Sequence, residues 1–297
     1  LSMYSLLENV DKKIRIYIIH KENSFVDSLS KKIINHKNLD SIEVYKFDNE
    51  GINFPNLQNN HISEATYYRL YLDKYLPKNL ENIIYVDADV LSTNPIDTEI
   101  KNIFLEMDQN NLILGAKTDE IRGKIGDDIN WDGILMKSDS YFNAGVLFIN
   151  YKKWILNNHF TKLRERQIEI EDALYFWDQD ILNSHFDGEY YEIGEKFNYR
   201  VGLDSKVQKY DTTKRNSLLI HYQGSWKPWS VRGCYHENSR FYQDYYKKLG
   251  FGDYHLVHTW RLNSIFHFII GIFKFKIFKL NFPIKFVISV SKSLLIR

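Results

Sequence analysis

Short β-branched and aromatic runs alternate along this chain with stretches of helical spacing. Residues 14–19 and 42–47 are two such runs, and Phe25, Leu29 and Ile33 recur every four residues between them. That spacing predicts a strand–helix–strand unit. Ser63 stands where it can cap a helix in which Ala65, Tyr68, Leu72 and Tyr75 recur at three and four, with Thr66, Arg69 and Asp73 on its polar face. A strand over 83–86 follows, then a helix opened by Pro95, then a strand over 112–116. Residues 123–131 are polar and contain Gly and Asp, as a loop over a site would. Residues 141–150 are almost continuously apolar, the mark of a strand buried on both faces. Helical stretches cover 152–186, and a last strand over 217–220 closes at His221. Strands alternating with helices predict an α/β sandwich with a mostly parallel sheet flanked by helices. There is no internal repeat and no low-complexity linker.

Length and composition bound this picture. The chain has 297 residues, 44% hydrophobic and 26% charged, as in an ordinary globular protein of one large domain or two small ones. Its net charge of +1 hides an asymmetry. No acidic residue follows Asp253, while Arg261, Lys274, Lys276, Lys279, Lys285, Lys292 and Arg297 are all basic; the rest of the chain has 32 basic against 38 acidic residues. An acidic body with a basic, aromatic tail does not fit a nucleic-acid binder. It fits a domain that leans on an anionic membrane. We therefore expect a catalytic unit over 1–235, a helical extension over 236–259 and a membrane-associating tail over 260–297.

In that tail Phe266, Ile269/Ile270, Phe273, Ile277 and Leu280 form a helical stripe, with Phe268 and Phe275 off it. Lys274, Lys276 and Lys279 interrupt the apolar run, so peripheral attachment is expected rather than a span. The rival is a helix packed on its own domain or on a second subunit. The single cysteine, Cys234, cannot form an internal disulfide, which fits a reducing cytosol. No charged and then apolar leader opens the chain, so a cytoplasmic location, peripheral on the inner face of the cell membrane, is expected. The chain opens at Leu1 with a pattern resembling the middle of a helix, and the native start is expected upstream.

Chemistry gathers at strand ends. Residues 83–91 read IIYVDADVL, an apolar strand closed by Asp87 and Asp89. Alternate strand residues share a side, and the end of such a strand is where open α/β sheets bind ligands. Paired carboxylates there call for a partner such as a divalent cation, or else mark a solvated turn. His221 also closes a strand, as a metal ligand or as a hydrogen-bonded structural residue. The segment 221–229, HYQGSWKPW, adds Gly224 for close backbone approach and Lys227 as a point charge for phosphate. Two Asp and one His make a plausible ligand set for Mn²⁺, with a diphosphate completing it. Asp178, Gln179 and Asp180 sit at a predicted helix N-terminus, either capping it or lying beside a reacting carbon. Asn143 and Gly145 interrupt a strand made for burial, through a bulge or the approach of a ligand. Arg69 can pair with phosphate, or with Asp73 four residues on.

The ordered set Thr66-Tyr67-Tyr68-Arg69, Tyr85-Val86-Asp87-Ala88-Asp89, Phe142-Asn143-Ala144-Gly145-Val146, Asp178 through Asn183, and His221 with Lys227-Pro228-Trp229 resembles glycosyltransferase family 8. That family includes bacterial lipopolysaccharide glucosyl- and galactosyltransferases and the glycogenin branch, and the resemblance runs from about residue 1 to residue 229. It implies a Rossmann-like GT-A fold, a UDP-hexose donor (glucose or galactose), Mn²⁺ with Mg²⁺ as a substitute, and transfer with retention. The acceptor would be a saccharide, glycolipid or glycoprotein. By motif, Asp87, Asp89 and His221 would bind the metal, with Asp87 also touching the donor. Arg69 and Lys227 would hold the diphosphate, and Gly224 would meet it through backbone. Asn143, with Gly145 beside it, Asp178 and Gln179 would line the donor sugar.

A UDP leaving group gathers negative charge, which a metal and a lysine stabilise. Gln179 is a poor nucleophile, which favours front-face attack, with Asp178 the fallback for a covalent intermediate. The family's opening strand, with its nucleotide-binding residues, is expected to precede this chain; without it donor binding would be weak. Two rivals compete. One is a haloacid-dehalogenase-type phosphatase with Asp87 as nucleophile and Gly126-Asp127-Asp128 as its later acidic motif, although that motif follows no apolar strand and 221–229 would go unused. The other is a non-catalytic nucleotide-sugar-binding protein.

Overall fold

A computed structural model describes residues 1–48, 51, 54–55, 63–124, 128–203 and 209–295. The chain opens with α1 (Ser2–Glu8), β1 (Ile14–His20), α2 (Lys31–Ile34) and β2 (Leu39–Lys46). The strands β1 and β2 pair in parallel, as the strand–helix–strand spacing predicts. The connecting helical stretch is broken into a 3₁₀ turn over Asn23–Ser28 and the single turn of α2, which Ser30 caps.

The next predicted helix is tighter than expected: Glu64–Tyr71 is 3₁₀, Ser63 makes no cap bond, and only α3 (Leu72–Tyr75) is α-helical. In a 3₁₀ helix residues three apart eclipse. Tyr68 and Tyr71 therefore fall together on Phe47, stacked and edge-on, while Thr66 and Arg69 fall together on the other side.

The middle of the chain supplies β3 (Asn82–Val86), β4 (Val90–Ser92), α4 (Asp97–Gln109), β5 (Leu114–Ile121) and β6 (Ser140–Asn150). It continues with α5 (Tyr151–Leu156), α6 (His159–Glu169), α7 (Asp178–Phe186), β7 (Tyr191–Glu192), β8 (Tyr199–Arg200), α8 (Tyr210–Asn216) and β9 (Leu219–His221). Residues 126 and 127 of the phosphatase-like motif lie outside the described residues.

The long strand β6 is buried along nearly its whole length, as its composition predicts. Its Phe142, Ala144, Leu147 and Ile149 face an aromatic core with Tyr67, Tyr71 and Trp154, while Val146 and Phe148 face α4 through Met107 and Ile103. The sheets are β1-β2, β3-β6-β5-β7 and β4-β9-β8 among the described residues. The fold is mixed α/β as expected, but it is not mostly parallel. The β3–β6, β4–β9 and β5–β6 pairs are antiparallel, because β6 runs back between β3 and β5 and β9 runs back along β4.

After α9 (Ser239–Lys248) come α10 (Arg261–Phe273) and α11 (Pro283–Leu295), separated by a turn in which Phe275 has φ +55°. The predicted stripe does not run on one helix: its α10 members Phe266, Ile269 and Phe273 face outward, while Ile277 beyond the turn faces inward. On α10 the buried residues are Ser264 and Gly271, with Phe268 half-buried, while Phe266, Ile269, Ile272 and Phe273 are exposed. A Cβ on Gly271 would collide with the Tyr235 ring, so glycine lets α10 lie against the body. Ile277, Phe286 and Val290 then pack on Val231 and Cys234. No helix among the described residues is long and apolar enough to cross a membrane.

Candidate active site

Asp87 and Asp89 converge across a turn, not along a strand. β3 ends at Val86, and the Val90 amide donates to the Asp87 carbonyl (3.1 Å), folding Asp87-Ala88-Asp89 back into β4. Register then delivers the third member. Val90 lies opposite His221 in the antiparallel β4–β9 pair, and the Tyr222 amide reaches the Asp89 carbonyl. His221 Nε2 is 3.4 Å from Asp89 Oδ1 and 3.9 Å from Asp87 Oδ2. Ligand atoms of Asp87, Asp89 and His221 all lie within 4.8 Å of one another. Two carboxylates and an imidazole so placed fit a hard or borderline divalent cation.

Charged groups surround this triad. Lys227 Nζ sits 2.7 Å from Asp89 Oδ2 and also donates to the Tyr222 carbonyl. Burial works against the Asp89 carboxylate, but His221 and Lys227 outweigh it and hold its pKa well below the usual range. Gly224 is exposed at the start of the same loop, with φ +84°, a conformation that favours glycine.

Arg69 lies inside the same cluster, behind the carboxylates. It is buried, its Nε is 2.7 Å from Asp178 Oδ2, its Nη2 is 3.2 Å from Asp87 Oδ1, and Nη1 donates to the Ala144 carbonyl. The guanidinium also lies over the Tyr85 ring, whose hydroxyl donates to Asp87 Oδ1 at 2.6 Å. Its carboxylate partners thus lie just after β3 and at the start of α7, and the alternative local pair with Asp73 is not made. Asp73 instead is met at its carbonyl by Lys78.

The N-terminus of α7 docks on β6. Gln179 Oε1 accepts from the Ala144 amide at 2.9 Å, and Asn183 exchanges two bonds with the Phe142 backbone. Both oxygens of Asp178 are engaged, one by Thr66 Oγ1 at 2.5 Å and one by Arg69. Burial raises the Asp178 carboxyl to about 6, with Arg69 and Thr66 pulling the other way. Asp180 plays another part: it accepts from Tyr141 and from the amides of Tyr175 and Phe176, holding the loop that enters α7.

Gly145 has a reason of its own. A Cβ there would collide with the His221 ring, so glycine makes room for the imidazole. Asn143 turns its Oδ1 to the Gly145 amide (3.0 Å) and to Asn198 Nδ2 (2.8 Å), and Asn198 Oδ1 meets His221 Nδ1 (2.9 Å). Asn198, fully buried, joins the cluster although no motif pointed to it. Its one sequence signal is an amide between two aromatic residues, Phe197 and Tyr199, in a segment without clear periodicity.

The mixed α/β fold is that of the GT-A glycosyltransferases, as two solved structures show. Galactosyltransferase LgtC in complex with donor and acceptor sugar analogues matches with a TM-score of 0.64 at 24% identity, over 88% of this chain and 95% of that one. An active-site mutant of LgtC matches with a TM-score of 0.62 at 25% identity, over 84% and 90%. Within that class, the chain belongs to glycosyl transferase family 8, whose model matches residues 1–232. A putative glycosyltransferase of Haemophilus influenzae is 31% identical over 247 residues, 80% of this chain and 70% of that protein. A lipopolysaccharide 1,2-glucosyltransferase of Escherichia coli is 27% identical over 242 residues, 77% and 68% respectively. The protein is therefore a glycosyltransferase, with a nucleotide-sugar donor and a saccharide acceptor, and the phosphatase reading falls.

Proposed function

We propose that this enzyme transfers a hexose, glucose or galactose, from a UDP-sugar to a saccharide acceptor with retention of configuration. The observation that carries this is the convergence of Asp87, Asp89 and His221, flanked by Lys227 and by the Arg69–Asp178 pair. Asp87, Asp89 and His221 would hold Mn²⁺, with Mg²⁺ as substitute, and the bound cation would supply positive charge to the diphosphate leaving group. Three carboxylates face two cations in this cluster, so its own charge favours a divalent ion.

Lys227 exchanges Asp89 for the β-phosphate when donor binds, with Gly224 offering backbone to the same group. Arg69 acts by holding Asp87 and Asp178 in place. Asn143, Asp178 and Gln179 line the sugar. Both oxygens of Asp178 already serve Thr66 and Arg69, so covalent attack by it would break a buried ion pair, which favours front-face attack of the acceptor. Relatives named as lipopolysaccharide 1,2-glucosyltransferase and 1,3-galactosyltransferase support a hexose donor and an acceptor in lipopolysaccharide synthesis.

Residues 260–297 are the proposed membrane-facing tail, holding the enzyme on an anionic inner-membrane surface. Their exposed Phe and Ile side chains stand among exposed Lys274, Lys276, Lys279, Lys285 and Lys292.

The test is incubation of the full chain with UDP-glucose or UDP-galactose, a deacylated lipopolysaccharide-type saccharide and Mn²⁺. UDP release that a chelator abolishes is expected. No turnover with either donor would leave only the reading of a non-catalytic nucleotide-sugar-binding protein.

A further inference from the structure

His221 can offer a lone pair from Nε2 only if its proton sits on Nδ1, and three side chains decide where that proton goes. The decision starts from a backbone group, which cannot be flipped. The Gly145 amide donates, so the Asn143 atom 3.0 Å away must be its oxygen. That same Oδ1 lies 2.8 Å from Asn198, so Asn198 must present its NH₂ there. Its other end, Oδ1, then faces His221 Nδ1 at 2.9 Å and can only accept. The proton is thereby placed on Nδ1, and Nε2 is left bare toward Asp87 and Asp89. Gln223 Nε2 is the competing neighbour of Nδ1, but at 3.4 Å it is the longer contact. Asn198, Asn143 and Gly145 are all buried, so water does not compete for these bonds.

We infer that Asn198 is a positioning residue: it fixes the tautomer and ring orientation of His221, and it ties the imidazole to Asn143 on β6. This rests on the reading of Asp87, Asp89 and His221 as a metal site. It goes beyond that reading by assigning a role to a residue that itself reaches neither cation nor sugar. The tie also makes the imidazole and Asn143 one mechanical unit, because a shift of either strand end moves both.

The experiment is nitrogen-detected NMR of the metal-free full chain at alkaline pH, with His221 assigned through His221→Gln, together with Mn²⁺ binding followed by the spin resonance of free Mn²⁺. Wild type should show His221 protonated on Nδ1. Asn198→Leu removes both bonds at similar volume; it should move the proton toward Nε2 and weaken Mn²⁺ binding about 10- to 100-fold. Asn198→Asp keeps an acceptor for Nδ1–H, although it loses the donor to Asn143 Oδ1, and should hold the wild-type tautomer. A purely structural role for Asn198 would lower the melting temperature in both variants alike and leave the tautomer unmoved.

A wild-type His221 protonated on Nε2 overturns the inference. So does an Asn198→Leu protein that folds and keeps the wild-type tautomer and affinity. If Asn198→Leu does not fold, the spectra of wild type and Asn198→Asp decide. Failure of the metal reading looks different: Mn²⁺ would not bind wild type, or would bind Asp89→Asn equally well, while the metal-free tautomer still reports on Asn198.

Discussion

The cluster around Asp87 and the tail from Trp260 reverse the usual distribution of polar and apolar groups in opposite senses. In the cluster, charge lies inside: Arg69, Asp178, Asn143 and His221 are buried. In the tail, large apolar groups lie outside: Leu262 is 82% exposed and Phe273 77%, while Ser264 and Gly271 face the protein. Folding alone favours neither, since buried charge carries a desolvation cost and exposed apolar surface forgoes about 25 cal/mol per Å². The regions differ in completeness. Each charge of the cluster meets a partner from a distant part of the same chain, so the site's charges are already paired in the fold. The outward face of the tail stays open, as half of an interface does.

The sharpest way to break this comparison is Arg69→Leu. It strands Asp178 and Asp87 without their shared cation, and removing one partner of a buried pair typically costs about 3–5 kcal/mol. Calorimetry should show the melting temperature falling by roughly 10 °C for a domain of this size. A fall of only a degree or two would mean that the pair does not hold the cluster together. Next in size is Asp89→Asn, which removes a proposed ligand and the partner of Lys227. Turnover should drop about 10²- to 10³-fold, with Mn²⁺ binding lost by titration calorimetry and the fold retained. Retained Mn²⁺ binding would remove Asp89 from the cation site.

Buried polar groups away from the site serve as the control. His159 Nδ1 and His185 Nε2 are 2.7 Å apart beside Trp154 and Phe186. Burial lowers the pKa of His159 to about 4 and of His185 to about 3. A histidine depressed in the folded state contributes stability in full above its unfolded value near 6.5, and loses it as pH falls from there toward 4. His159 alone implies a loss of ~2 kcal/mol by pH 5. Urea titrations between pH 7 and 5 should show it, and the double variant His159→Gln/His185→Gln should flatten the slope. A flat wild-type profile would show that these imidazoles are not kept neutral by burial.

How far the sequence reveals this molecule depends on how local each cause is. Strand β6, the carboxylates at the end of β3, His221 at the end of β9 and Asp178 at the start of α7 all follow from composition and spacing over a few residues. The causes that escape are distant in sequence. Gly145 is needed for a ring 76 positions away, so spacing alone left a bulge or a ligand as its explanation. Arg69 chose carboxylates on two other elements over Asp73, because its 3₁₀ helix aligns it with Thr66 and turns it into the core. Asn198 carries no period or motif, and only the fold brings it between β6 and β9. In the tail, periodicity finds a stripe but cannot say which side of it meets the protein.

That last ambiguity sets the smallest predicted effect. If the exposed face of α10 meets an anionic bilayer, Phe273→Ser should weaken binding to phosphatidylglycerol-containing vesicles by roughly tenfold, since a phenylalanine side chain is worth about 1.5–3 kcal/mol when fully buried and only part of it enters lipid. Lys276→Gln should take away about 1 kcal/mol on the same vesicles and nothing on neutral ones. Both residues are exposed, and Lys276 gives up only a contact over the Tyr235 ring at 5.9 Å, so stability should stay within about 1 kcal/mol of wild type and turnover on a soluble acceptor should not change. Ile277→Ser is the opposite case: Ile277 packs on the body, so it should destabilise without a selective effect on vesicles. A second copy of the chain is the competing occupant, and sedimentation separates the two. If Phe273→Ser abolished self-association and vesicle binding was never present, the tail would be a subunit interface, and its lysines would be there for solubility alone.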